Sequence, residues 1–149
     1  MKHKAIRITI LVLVLFGALT TLAGGIGLLT GAIAAPLEWL EGSPFVDYTI
    51  PGLALAIIVG GSMLLAAASI FTGREIGVLA SGFAGLAMMI FEIVEVTVIN
   101  RFVGSWLSVA LSLQAFYFAL GLAIFVLAAT LWMTEFRSQH FPVKHISHA

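Results

Sequence analysis

A chain of 149 residues in which 61% are apolar and only 9% are charged lacks the charged quarter, roughly, with which a soluble domain covers its core. Seven Lys and Arg balance seven Asp and Glu, so no basic surface points to a nucleic-acid partner and no acidic run to a solvating tail. Without cysteine there is no disulfide, thiolate metal site or thiol nucleophile, which excludes the dithiol oxidoreductases.

Four apolar runs reach the about 20 helical residues needed to cross a hydrocarbon layer about 30 Å thick. The first lies near Ile8 to Thr30, behind the basic "MKHKAIR". It ends near "AIAAP", which looks like a small-residue cleavage site, but the run far exceeds the roughly 7–15 apolar residues of a secretory signal. It is therefore expected to be retained as a span. Gly27 and Gly31 offer small-residue packing, and the pair Gly24 and Gly25 would let the following half of the helix bend.

The connection that follows, "APLEWLEGSPFVDYTIPG", is unusual for a polar hairpin. Pro36, Pro44 and Pro51 restrict its backbone, and Leu37, Trp39, Leu40, Phe45 and Tyr48 stand among carboxylates. This composition predicts a structured cap lying over the helix ends. The second run, near Ile50 to Phe71, carries Gly52, Ala56 and Gly60 at four-residue spacing. The third, near Ile76 to Ile99, carries Gly77, Ser81 and Gly85 in the same pattern. Since lipid supplies no hydrophobic drive between spans, such small-residue stripes are where helices approach closely. The fourth run lies near Trp106 to Trp132. The tail "MTEFRSQHFPVKHISHA" extends it briefly and breaks at Pro142. His3, His140, His145 and His148 are terminal and match no zinc spacing.

Lys2, Lys4, Arg7, Arg74, Arg137 and Lys144 all fall on one side of these spans, Arg101 alone on the other, together with Glu38, Glu41 and Asp47. By the positive-inside rule both termini are expected in the cytoplasm. Trp39, Trp106 and Trp132 fall near expected interfaces, where indoles settle. The fold expected is an all-α, four-helix transmembrane bundle, one integral membrane domain over residues 1–149, with a short structured outer loop between helices 1 and 2.

The stretch "FEIVEVTVINR" puts Glu92 and Glu95 inside the third run. Glu92 lies seven residues, about two turns, beyond Gly85 and so shares its face; Glu95 is its neighbour on that face. Counting about 1.5 Å per residue from Asn100 sets Glu92 about 12 Å and Glu95 about 7 Å inside the helix end, and Gln114 of the fourth run reaches about the same depth. A charge deep in a bilayer costs on the order of 2.5–3.5 kcal/mol, and two ionised carboxylates would also repel at low dielectric. The pair is therefore expected to hold a proton or a cation and to titrate as a unit. Glu92, Glu95, Gln114 and Tyr117 form the expected outer-leaflet site for a proton, a cation or an amine-bearing ligand. The bland alternative is that Glu95 pairs with Arg101 while Glu92 hydrogen-bonds Gln114 to fix helix register. E-x-x-E alone supplies too few oxygens for a divalent ion, which wants about six, so the metal, if one binds, is left open. No nucleophile elbow, phosphate-binding loop or catalytic Ser/His/Asp set occurs, and no cofactor is expected.

"SPFVDYTIPGL" (Ser43 to Leu53) and "LQAFYFALG" (Leu113 to Gly121) resemble stretches of small four-span bacterial integral membrane proteins of no established activity. The resemblance covers most of the chain in topology. It implies the four-span fold and a location in the bacterial inner membrane, carries over no functional residue, and adds weight to Asp47, Tyr48 and Gln114 as positions to test. The leading expectation is a small binding or transport unit in the lipid bilayer, working as a homo-oligomer. Two alternatives stay open: an accessory subunit of a larger membrane complex, and a membrane enzyme on a lipid or isoprenoid with Glu92 as general acid or base.

Overall fold

A computed structural model describes residues 3–98 and 106–140. All regular structure among them is helical. Four helices, Lys4–Thr30, Thr49–Thr72, Glu75–Val98 and Trp106–Glu135, account for most of it, with a 3-10 turn at Leu37–Leu40 and a short helix at Arg137–His140. Each of the four is long and apolar enough to cross a membrane. The second is not uniform: an α-helical start at Thr49–Leu53 passes into a wider π-helical stretch at Ala54–Gly60, returns to α at Gly61–Ser69 and tightens at Ile70–Thr72. Pro51 stands in its opening turn, where the missing N–H has no helical acceptor to lose.

Consecutive helices pack side by side, and the fourth closes against the first, which makes an up-and-down bundle. The start of the first helix and the end of the fourth lie at one end of it, called here the terminal end; the loop of residues 31–48 marks the loop end. Gly31 (φ 74°) and Gly73 (φ 71°) take the left-handed conformation that lets the chain leave the first and second helices, a backbone state that costs glycine little.

The interior reads as rows at three- and four-residue steps: Ile10, Val14 and Ala18 from the first helix; Val59, Met63, Ala66 and Ile70 from the second; Val78, Ala84 and Met88 from the third; Leu120, Ile124, Ala128 and Leu131 from the fourth. The exterior is apolar too, with Leu19 75%, Ile57 66% and Leu65 63% exposed. Meanwhile Arg7, Thr21, Ser81, Glu92 and Gln114 are buried. An apolar exterior, with polar side chains held among an apolar core, suits lipid rather than water as the solvent.

Glycines set the closest helix pairs. A Cβ on Gly25 would stand 2.7 Å from both the Ala56 Cβ and the Gly52 carbonyl oxygen, so Gly25 serves packing of the first helix on the second rather than a bend. Gly85 and Gly121 face each other, each backbone oxygen within 2.7 Å of where the other's Cβ would be. The stripe expected on the third helix is thus shared between two neighbours: Gly77 abuts the backbone of Ser69 and Ile70, whereas Gly85 abuts the fourth helix.

The first helix begins at Lys4 and the fourth runs to Glu135, beyond the apolar segments read from the sequence. An ion pair accounts for both extensions. Arg7, 1% exposed, donates from Nη2 to Glu135 Oε2 at 2.5 Å and from Nη1 to the Ile70 carbonyl at 2.8 Å. Nearby, the Trp132 indole N–H donates to Glu75 Oε1 at 2.6 Å. Arg7 is therefore a tie between three helices at the terminal end and not only a topology signal.

Candidate functional site

At the loop end the core rows turn polar. On the third helix the row Gly85, Met88 continues to Glu92, 6% exposed; on the fourth, the row Ile124, Leu120, Tyr117 ends in Gln114, 7% exposed. Glu95 and Tyr117 are half-buried. The helical repeat that buries Met88 and Ile124 thereby also buries a carboxylate and an amide.

These groups line a cavity of about 400 Å³ among the ends of the four helices. Glu92, Glu95, Gln114 and Tyr117 all reach it, and so does Tyr48 from the loop. Of the residues singled out in the sequence, only Asp47 stays outside. It is exposed, and its Oδ1 accepts the Thr49 N–H at 2.9 Å, which caps the start of the second helix. Hydrogen bonding to Thr49, backbone first, holds the Asp47 carboxyl below its ordinary value. Arg101, the partner of Glu95 in the alternative reading, lies outside the described residues, as do Asn100, His145 and His148.

The loop roofs the cavity. Leu40 is buried, Trp39 is half-buried and faces the cavity, and the Tyr48 hydroxyl donates to the Pro36 carbonyl at 2.9 Å, closing the loop on itself. Burial, and then the nearby charge of Glu95, raises the Tyr48 phenol above its ordinary value, so it remains a hydrogen-bond donor at neutral pH. Trp39, Thr20 and Thr21 also line the cavity, a role the sequence did not announce. The clue was a Trp placed in a proline-bounded loop, where an interfacial anchor explains it equally well.

Charge pairing separates this region from the terminal end. The Gln114 side chain neighbours the Glu95 carboxylate, and Glu95 lies within electrostatic reach of Glu92. The buried Gln114 Oε1 has no partner, as Arg7 Nε has none at the terminal end, but the one ion pair between described side chains is made by Arg7 and Glu135, far away. An unmet buried acceptor costs roughly 1–3 kcal/mol. The hydroxyls, by contrast, are satisfied locally: Thr21 donates to Gly17 O at 2.8 Å and Ser81 to Gly77 O at 2.8 Å. Among the described residues no three His, Asp or Glu side chains cluster closely enough to hold a metal ion. What remains is a chamber walled in part by Trp39, Tyr48 and Tyr117, with two carboxylates and the Gln114 amide among its polar groups. No protein-family model matches this chain, and neither a curated protein nor a solved structure is similar to it.

Proposed function

We propose that this chain is a small integral membrane binding or transport unit whose site is the loop-end cavity, with Glu92 and Glu95 as its charged groups and Gln114, Tyr117 and Tyr48 as its walls. One observation carries the reading: a cavity of about 400 Å³, within the roughly 300–1,000 Å³ of small-molecule pockets, is lined by two carboxylates, Glu92 and Glu95, that have no cationic partner among the described residues. Intramembrane carboxylates that face a cavity mark ligand or ion sites more often than packing sites.

The charge distribution supports the orientation. Lys4, Arg7, Arg74 and Arg137 stand at the terminal end, Glu38, Glu41 and Asp47 at the loop end. With basic residues kept inside, both termini lie in the cytoplasm of a bacterial cell and the cavity lies in the outer leaflet of the inner membrane. Association of several copies would extend the chamber into a pathway.

Native mass spectrometry of protein freshly extracted from its membrane tests the proposal against Glu92→Gln/Glu95→Gln. A small mass retained by wild type and lost by the double variant supports it. The same mass on both proteins, or none on either with a protein partner retained, moves the reading to an accessory subunit of a larger complex.

A further inference from the structure

Resting on that reading of the cavity, we infer that its ligand is a lipophilic cation, held with its charge at Glu92 and Glu95 and its apolar body in the seam between the first and fourth helices, where the chamber borders lipid.

The walls of the chamber differ in chemistry. Glu92 and Glu95 reach it from the third helix and have no cationic partner among the described residues. The first and second helices contribute Gly24, Leu28, Pro51 and Leu55, and most of the chamber's surface is apolar. Thr20 and Thr21 also line it, but their hydroxyls donate to the Phe16 and Gly17 carbonyls of their own helix, at 3.0 and 2.8 Å. Simpler occupants fit less of this. A proton needs no chamber. A hydrated inorganic ion would set its water shell against apolar side chains, and a bare divalent ion wants about six oxygens, where no three His, Asp or Glu cluster among the described residues. A neutral apolar molecule would fill the space but leave two carboxylates without a counter-charge. A charge on an apolar body meets both walls.

The place for that body follows from the seam. Leu113 belongs to an apolar span and lines the chamber while 53% exposed; Ile33, just past the first helix, lines it while 48% exposed. These side chains are wall and outer surface at once, so the chamber borders the bilayer here. Toward the terminal end the seam is shut, since Phe16 and Phe116 meet edge to face with centroids 6.0 Å apart. About two turns nearer the loop, at Gly24, it is open: a Cβ there would meet only Leu55, at 3.3 Å, and nothing of the fourth helix among the described residues. A ring or chain attached to the charge can therefore lie beside Gly24 and Leu113, against lipid.

Three probes in phosphatidylcholine nanodiscs test this: trimethyl[2-(1-naphthyl)ethyl]ammonium; its uncharged carbon isostere, 1-(3,3-dimethylbutyl)naphthalene; and tetramethylammonium, which keeps the charge without the body. Native mass and thermal unfolding read binding as the part lost in Glu92→Gln/Glu95→Gln, because partition into lipid is the same for both proteins. The naphthyl cation should bind wild type about tenfold or more tightly than it binds the double variant. It should also outbind tetramethylammonium about tenfold, and the isostere should not distinguish the two proteins. Gly24→Leu and Gly24→Met each place a side chain in the open seam, with only the flexible end of Leu55 to displace, and should weaken the naphthyl cation about tenfold in protein that still folds. Tetramethylammonium bound as tightly as the naphthyl cation, an isostere equally dependent on the carboxylates, or a naphthyl cation undiminished in both Gly24 variants would each overturn the inference while leaving the carboxylate site standing. Carboxylate-dependent binding of none of the three overturns it too, and a carboxylate-dependent mass in the freshly extracted protein would then show that the site itself survives.

Discussion

The two ends of this bundle treat buried charge differently, although each holds one buried polar atom without a partner, Arg7 Nε at the terminal end and Gln114 Oε1 at the loop end. At the terminal end Arg7 is fully buried, and its two Nη groups reach the Ile70 carbonyl and the Glu135 carboxylate, while Trp132 meets Glu75. At the loop end Glu92 and Gln114 are nearly as buried, but Glu92 and Glu95 line a cavity and have no cationic partner among the described residues. Paired charges hold helices in register. Carboxylates beside open space without a cationic partner cost stability, and natural proteins keep such costs where they serve function.

That contrast can be broken most severely at the terminal end. Arg7→Met strands the Glu135 carboxylate, and removing one partner of a buried pair costs about 3–5 kcal/mol. Unfolding in nanodiscs should show a loss of that order, and an unchanged midpoint would mean that the tie is ornamental. Midway along the bundle, Gly121→Val drives a side chain into the backbone of Gly85, whose oxygen lies 2.7 Å from the new Cβ. Overpacking of this kind costs about 1–3 kcal/mol and should loosen the third and fourth helices first, visible as faster amide exchange along Glu75–Val98. At the loop end, Glu92→Gln should leave stability unchanged or raised by up to about 1 kcal/mol, because a neutral amide enters the low-dielectric interior more easily than a carboxylate; thermal unfolding of the stripped protein measures it.

The smallest effect concerns Asp47. Its folded-state carboxyl lies below the ordinary 3.8 because it accepts hydrogen bonds from Thr49. A depressed folded value contributes stability that is fully present above the unfolded value and is lost as pH falls through the folded one. An NMR titration of the Asp47 side-chain carboxyl should give a midpoint below 3.8, and one at or above it would remove the cap from the account.

Much of this was legible in the sequence for one reason: helical period. The step from Gly85 through Met88 to Glu92, and from Ile124 through Tyr117 to Gln114, follows the same three- and four-residue spacing that marks any buried face, so the polar residues could be placed in the core and at one depth. The small-residue stripes were legible for the same reason, although period alone did not say that Gly77 and Gly85 serve different neighbours. Arg7 was not legible. Three basic residues precede the first span, all compatible with a solvated cytoplasmic end, and only the partner Glu135, 128 residues away, separates the buried one from the others. Long-range pairing leaves no local pattern. Trp39 was hidden likewise, because an indole at an interface and an indole roofing a cavity leave the same mark in one sequence.

The comparison of the two ends is tested most directly by measuring, on one preparation in nanodiscs, both the unfolding midpoint and the retained small-molecule mass of wild type and Glu92→Gln/Glu95→Gln. The account predicts that the variant loses the bound mass and, compared with stripped wild type, unfolds at the same temperature or higher. A variant that unfolds well below stripped wild type, as Arg7→Met should, while no mass distinguishes the two proteins, would show that the carboxylates hold the bundle together and would contradict a binding site at the loop end.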